Sequence, residues 1–179
     1  MLLSHLQIAR AHWLLGALFL ALILEEYLPR SRRDGRPERS RSTLVPWALI
    51  LGGVGAWTTT VFADVVHDML IHFLWGDILF VAGSLELARR RGVYDRPWLD
   101  VVLPLAFLGN GAVFIVHERI DPTALGENWH LAMGLLLIAA GVLELVRVRL
   151  RPALRLSPAI FPLAAFALVL IAIPVGAAS

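Results

Sequence analysis

The sequence contains neither cysteine nor lysine. Without cysteine, the chain has no disulfide, no thiolate metal ligand and no thiol nucleophile. All 16 basic residues are therefore arginine, a bias that indicates a GC-rich bacterial genome. Metal binding or acid–base chemistry in this chain would have to use histidine, carboxylate, hydroxyl or methionine side chains.

Charge is also scarce over long stretches, and hydrophobic residues make up 58% of the chain. A soluble domain of 179 residues with this composition would expose large apolar patches to water. Nearly uncharged stretches of about 18 or more residues are instead typical of membrane-spanning helices. We predict an all-α integral membrane protein with six transmembrane helices, at about Ile8–Leu28, Leu44–Ala63, Val66–Ala88, Leu99–Val116, Trp129–Val146 and Pro158–Val175.

The arginines concentrate in three of the segments that connect the predicted spans, and only Arg10 and Arg119 lie elsewhere. Cytoplasmic loops of membrane proteins carry an excess of basic residues, so these segments are predicted to be cytoplasmic and both termini extracytoplasmic. We expect a multi-pass protein of the bacterial inner (cytoplasmic) membrane, surrounded by the lipid bilayer, with no nucleic-acid partner. The segments follow the first, third and fifth spans and contain Arg30, Arg32, Arg33, Arg36, Arg39, Arg41, Arg89, Arg90, Arg91, Arg96, Arg147, Arg149, Arg151 and Arg155.

An internal repeat relates the predicted spans. The pattern His-x3-Gly-x6-Gly-x2-Glu-Leu starts at His72 in the third span and, 58 residues later, at His130 in the fifth. The first span follows the pattern in part, with His12, Gly16 and Glu26, and prolines recur at the same interval in the even spans, at Pro46, Pro104 and Pro162. This periodicity predicts a single membrane domain, residues 1–179, built as three two-helix units at about residues 5–62, 63–120 and 121–178.

In each odd span, the repeated residues lie on one face of the helix. Helical geometry brings the histidine, both glycines and the glutamate to one stripe, with the histidine about 21 Å from the glutamate along the axis. We expect the three stripes to face inward around a pseudo-threefold axis, because small residues let membrane helices approach closely. The glutamates precede arginines by three or four residues and are expected to form ion pairs at the helix surface: Glu26, Glu86 and Glu144.

All six histidines fall in the half of the predicted helix bundle that lies toward the extracytoplasmic side of the membrane. Ionisable groups within spans are costly and usually face partners, cavities or ligands. Imidazole is a good ligand for zinc and copper, so the pattern predicts a transition-metal site. We expect its ligands to be His12, His72 and His130, with Asp68 or His117 completing the shell. His67 is a further candidate, although it lies about 140° around the helix from His72.

Two other main interpretations of the histidines remain open, besides a channel, a carrier or an intramembrane hydrolase that uses a metal-bound water. The first is a b-type haem, or another macrocycle, in an electron-transfer subunit, in which glycines one turn from the axial histidines leave room for the ring. Its cofactor-binding candidates are Gly76, Gly134, His117 and Trp75. The second is a structural subunit of a larger complex, whose histidines form hydrogen bonds between helices. We expect a binding protein rather than an enzyme, with a periplasmic or membrane protein partner or a homo-oligomer.

One carboxylate lies apart from these groups. Asp77 is near the middle of the third span, on the side of the helix away from the histidine stripe. We expect it to face another helix or to reach a polar partner such as Asn110 or the threonines at 58–60.

In plan, the chain resembles the MHYT sensor domain, which also has six spans in three two-helix units and outer-face histidines. That resemblance implies copper binding at the outer face. The Met-His-Tyr-Thr motif is absent, since His72 is followed by Phe73 and His130 by Leu131. The resemblance therefore concerns the plan of the chain and carries over no individual residue.

Overall fold

The described part of the chain is helical. A computed structural model describes residues 13, 16–17, 19–24, 43–59, 66–94, 96–120, 129–150 and 157–172. Its helical residues 13, 16–17 and 19–24 are together called α1. The other helices are α2 (Leu44–Thr59), α3 (Val66–Arg90), α4 (Val102–Ile120), α5 (Trp129–Leu150) and α6 (Ile160–Ala172), and a 3-10 helix, Pro97–Val101, leads into α4. The all-α prediction is confirmed for these residues.

Within the described residues, three helical segments are long and apolar enough to cross a membrane, namely Met69–Arg90, Pro97–His117 and Trp129–Leu150. The apolar segments Leu44–Thr58 and Ile160–Ala172 are shorter. Large apolar side chains project outward from these helices, as Leu51 and Phe161 do with exposed fractions of 65% and 71%. Such surfaces are unfavourable in water and suit a lipid bilayer, which agrees with the prediction of a membrane protein.

The three repeated prolines occupy the same place in three different helices. Pro46, Pro104 and Pro162 are each the third residue of their helix, α2, α4 and α6. The first N–H groups of an α-helix have no intrahelical acceptor, so a proline there removes no hydrogen bond and its fixed φ suits the helix. The residues at this interval therefore mark equivalent helix starts.

Among the described residues, α2 packs extensively on α3, and α4 on α5. A Cβ atom placed on Gly53 would lie 2.7 Å from the carbonyl oxygen of Gly76, and one placed on Gly111 would lie 2.7 Å from that of Gly134. Contacts this short leave no room for a side chain, so glycine is needed at both crossings. The two crossings involve residues that are 58 positions apart in sequence.

The second glycine of the repeat makes a further contact in each pair. A Cβ atom on Gly83 would lie 2.8 Å from the carbonyl oxygen of Pro46, and one on Gly141 would lie 2.8 Å from that of Pro104. These glycines therefore face the helix that precedes their own in the chain. Our expectation that glycines bring the odd helices together is therefore wrong for α3 and α5, which have no close backbone contact within the described residues, whereas α4 lies against both. The pseudo-threefold arrangement of the three stripes stays a prediction, since most of the first span lies outside the described residues.

The first and last helices also meet. A Cβ atom on Gly16 would lie 2.8 Å from the carbonyl oxygen of Ala167, and the rings of Phe19 and Phe166 are 5.2 Å apart. A buried apolar cluster joins α1, α4, α5 and α6, because Ile23 packs there with Phe107, Met133, Leu137, Leu163 and Phe166. Phe114 of α4 packs against this cluster and also stacks on His130 of α5.

We predict that Gly53→Ala lowers the free energy of unfolding by about 1–3 kcal/mol, the usual cost of overpacking. The added methyl group would overlap the backbone of α3 at Gly76 and Phe80. The matched control is Gly55→Ala in the same helix, where no atom lies within 4 Å of the added Cβ. The control should be neutral or stabilise by roughly 0.5–1 kcal/mol, since alanine favours the helix. Thermal unfolding in detergent, followed by circular dichroism, would contradict the prediction if both variants melted alike.

Candidate histidine site

Three histidines from three successive helices lie side by side. The ring centroids of His72 in α3 and His117 in α4 are 6.1 Å apart, and those of His117 and His130 in α5 are 4.9 Å apart. In both pairs the rings meet edge to face. His117 therefore lies between the two repeat-related histidines and links them.

Aromatic rings enclose this histidine cluster, by which we mean His72, His117 and His130. Phe114 stacks on His130 with centroids 5.8 Å apart, and Trp75 lies 5.5 Å from Phe114 and 6.4 Å from His72. His117 and His130 are buried, with exposed fractions of 9% and 6%, whereas His72 is half-buried. A shell of this kind excludes water from the two inner imidazoles and leaves the third closer to the surface.

The structure brings together some predicted site residues and leaves others untested. His72, His117 and His130 are neighbours, and Trp75 lines the cluster. His12 lies outside the described residues, as do the side chains of His67 and Asp68, although the backbone of those two belongs to α3. Among the described side chains, no group of three or more histidines and carboxylates is arranged to hold a metal ion.

The glycines next to the cluster are in helix contacts. A Cβ atom on Gly76 would lie 2.5 Å from indole atoms of Trp57, and one on Gly134 would lie 2.7 Å from both the backbone of Gly111 and the side chain of Ile115. The space one helical turn after His72 and after His130 is therefore filled by the neighbouring helices. In this arrangement the two glycines set the distance between helices and leave no gap beside them for a large planar ring.

A second cluster of polar side chains lies at the C-terminal end of α3, away from the histidine cluster. We call this end, with Glu86, Arg89 and Arg90, the arginine-rich end. Glu86 accepts hydrogen bonds from Arg89 at 2.6 and 2.8 Å and from Nε of Arg90 at 2.7 Å. Arg89 also donates to Asp100 of the 3-10 helix at 3.1 Å. These bonds fasten the segment that leads into α4 to the end of α3.

The repeat-related position in α5 has a similar arrangement. Glu144 accepts hydrogen bonds from Arg147, one of them at 3.0 Å from Nε, and from the hydroxyl of Ser157. The backbone N–H of Ala159 donates to the same hydroxyl oxygen at 3.2 Å, so Ser157 joins Glu144 to the start of α6. Sequence reasoning missed Ser157 because its counterpart 58 residues earlier is the apolar Leu99.

The predicted ion pairs are confirmed at Glu86 and Glu144, whereas Glu26 lies outside the described residues. Their burial differs from the expectation of a helix-surface location, since Glu86 is 2% exposed and Glu144 is 6% exposed. The cause is tertiary, because the segment before the following helix folds over each carboxylate. Leu99, at 2% exposed, and Ser157, at 5%, lie at equivalent places in these two segments.

We predict that Glu86→Gln lowers the free energy of unfolding by about 3–5 kcal/mol, because it removes the buried negative charge that pairs with the guanidinium groups of Arg89 and Arg90. The matched control is Asp100→Asn, which removes the negative charge that pairs with Arg89 from a side chain that is 37% exposed. The control should cost about 1 kcal/mol or less. Thermal unfolding midpoints in one detergent test the difference, and equal losses in the two variants would contradict it.

Comparison with protein-family models, with curated proteins and with solved structures finds no match to this chain. The resemblance in plan to the MHYT sensor domain is thus unaccompanied by a match to a family model. Any function proposed for the chain depends on its own residues and their geometry.

Proposed function

We propose that this chain is a membrane protein that binds a transition-metal ion, copper or zinc, through histidines near its extracytoplasmic end. The bound metal would serve in metal handling, in sensing, or in delivery to a periplasmic or membrane protein partner. The observation that carries the proposal is the meeting of three imidazoles from α3, α4 and α5 in one aromatic-lined cluster.

The spacing of the inner pair supports a shared ligand. A metal bound about 2.0–2.1 Å from an imidazole nitrogen lies about 3 Å from the ring centroid, so tetrahedral ligands have centroids about 5 Å apart. The centroids of His117 and His130 are 4.9 Å apart, which is close to that spacing. His72 lies farther away, 6.1 Å from His117, and would have to turn or shift toward a metal at the inner pair.

The proposal draws its remaining ligands from the sequence pattern. His12 occupies in the first span the place of His72 and His130 in the other odd spans. Asp68 precedes His72 by four residues, one turn along the same helix face. A site with three histidines and a carboxylate or a water has the ligand types that zinc and copper(II) accept.

The proposed site belongs to a proposed architecture of six spans in three two-helix units. The equivalent prolines at the starts of α2, α4 and α6 and the equivalent glycine crossings of α2 on α3 and α4 on α5 support it. The arginine distribution supports termini that face away from the cytoplasm in a bacterial inner membrane. In that orientation the histidine cluster faces the periplasm and the arginine-rich end faces the cytoplasm.

The absence of cysteine allows a direct test of this topology. Single cysteines introduced by Ser4→Cys, Ser40→Cys and Ser179→Cys have no background thiol. We expect a membrane-impermeant maleimide to label the first and third in intact cells, and to label Ser40→Cys only after the membrane is permeabilised. Labelling of Ser40→Cys in intact cells would contradict the orientation, and the permeabilised sample controls for accessibility of the thiol.

Metal binding is tested by elemental analysis of the purified protein after reconstitution with copper or zinc and removal of excess metal. We expect stoichiometric metal in the unmodified chain. His117→Gln and His130→Gln, which remove a ligand nitrogen but keep a polar side chain, should weaken binding by more than the roughly 10–100-fold that loss of an outer-shell partner costs. The matched control is Phe114→Leu, which removes the ring stacked on His130 but no ligand, and it should retain the metal.

Other outcomes would overturn the metal proposal. An absorption spectrum taken before reconstitution that contains a Soret band would identify haem instead. Metal bound equally by the glutamine variants would exclude the histidine cluster as its site. A chain that binds neither metal nor haem would be a structural subunit, in which the histidines serve to hold helices together.

A further inference from the structure

Asp77 is a carboxylate near the middle of an apolar span, and the proposed metal site does not use it. Counted along the spanning segment Met69–Arg90, it lies about 12 Å from one end and about 20 Å from the other. An aspartate side chain is too short to reach water or headgroups from that depth. Ionisable groups at such positions are costly unless a partner satisfies them.

Asp77 lines an open groove between α3 and α4. One wall is formed by Asp77, Ile78, Val81 and Ala82 of α3, and the other by Val102, Leu105, Ala106 and Gly109 of α4. Val81 and Leu105 are 54% and 53% exposed, so the groove faces outward from the described helices. Apart from Asp77, every side chain that lines it is apolar.

Within the described residues, Asp77 has no hydrogen bond or ion pair. The residues one turn away from Asp77 on α3 have apolar side chains that cannot donate a hydrogen bond. They are Phe73, Leu74, Phe80 and Val81. The predicted contact with Asn110 is not present, although Asn110 is buried and its Oδ1 also has no hydrogen-bond partner among these residues. Thr58 donates to the backbone oxygen of Gly55, and the side chains of the threonines at 59 and 60 lie outside the described residues. Among the described residues, no side chain thus donates to Asp77.

The form of the groove fits an α-helix. The lining residues of α4 fall at intervals of three, one and three, which is a single helix face two turns long. Ala82, Ala106 and Gly109 are small, and small residues permit the close helix contact on which association in membranes depends. A transmembrane helix laid in the groove would bury the exposed apolar walls and bring its own side chains to the depth of Asp77.

We propose that the α3–α4 groove binds a transmembrane helix of a different protein, and that this helix donates a hydrogen bond to Asp77 from the middle of its span. The donor would be a hydroxyl, amide or basic side chain. A second copy seated through the same groove is disfavoured, because it would bring two Asp77 carboxylates together and the described lining offers no donor. The proposal is independent of the metal site at the histidine cluster.

Photo-crosslinking in the native membrane tests this interface. A diazirine amino acid replaces Leu105 in the groove or, as a matched control, Leu135 on α5, whose exposed fractions are 53% and 54%. We expect the probe at position 105, but not the one at 135, to crosslink to a transmembrane peptide of another protein. Mass spectrometry of the crosslinked peptide should show a polar or basic residue near the middle of its span.

The role of the carboxylate is tested with the same probe at position 105. We expect Asp77→Leu to lower the crosslink yield by about 5-fold or more, since an interhelical hydrogen bond contributes roughly 1–2 kcal/mol. Asp77→Asn should retain the crosslink, because an amide also accepts a hydrogen bond. Asp77→Ala is a second variant that removes the carboxylate without adding bulk, and thermal unfolding verifies that each variant folds.

Three results would overturn the proposal. The probe at position 105 could crosslink only to lipid, which would leave the groove lined by the bilayer. It could crosslink only to a second copy of this chain, which would make the face a homomeric interface. Finally, the crosslink to another protein could have the same yield in Asp77→Leu and Asp77→Ala as in the chain that retains Asp77. That result would show that Asp77 does not hold the partner.

Discussion

The contact on which the other features depend is the close approach of two helix backbones at paired glycines. In a lipid bilayer no hydrophobic effect drives apolar helices together, so membrane helices are held together by close packing and by hydrogen bonds between them. At Gly53 on Gly76, and again at Gly111 on Gly134, the backbone of one helix occupies the space that a side chain would need on the other. Such a crossing tolerates little sliding or rotation, so it sets the register of each pair.

Register at the crossings accounts for the depth of the polar groups. His72 and His130 each lie four residues before a crossing glycine, and Glu86 and Glu144 each lie ten residues after one, about 6 Å and about 15 Å along the axis. A contact in the apolar middle of each pair thereby sets where the imidazoles and the carboxylates stand. Histidines of different helices lie side by side although α3 and α5 have no close backbone contact within the described residues, because α4 supplies His117 between them.

The helices and the local ion pairs were predictable from the sequence pattern, whereas the contacts between helices depend on tertiary packing. Apolar length predicted helices, and a spacing of three or four residues predicted the ion pairs of Glu86 and Glu144. Periodicity can assign His72 and Gly76 to one helix face, but it does not say which helix that face meets, and the glycines meet the preceding helix. His117 has Thr59 as its counterpart one unit earlier, so the repeat could not show that it links the other two histidines.

The polar groups of the described helices differ in how far the chain itself satisfies them, and that difference is informative about function. The buried Glu86 is bonded to two arginines of its own helix, which explains its presence without any ligand. The histidine cluster is surrounded by rings, an arrangement that shields nitrogens able to bind a metal. Asp77 has neither arrangement, since its helical neighbours are apolar and it lines an open groove. A carboxyl group in hydrocarbon needs a partner. Asp77 is therefore the residue that folding explains least, and it is the one that points most directly to a second molecule.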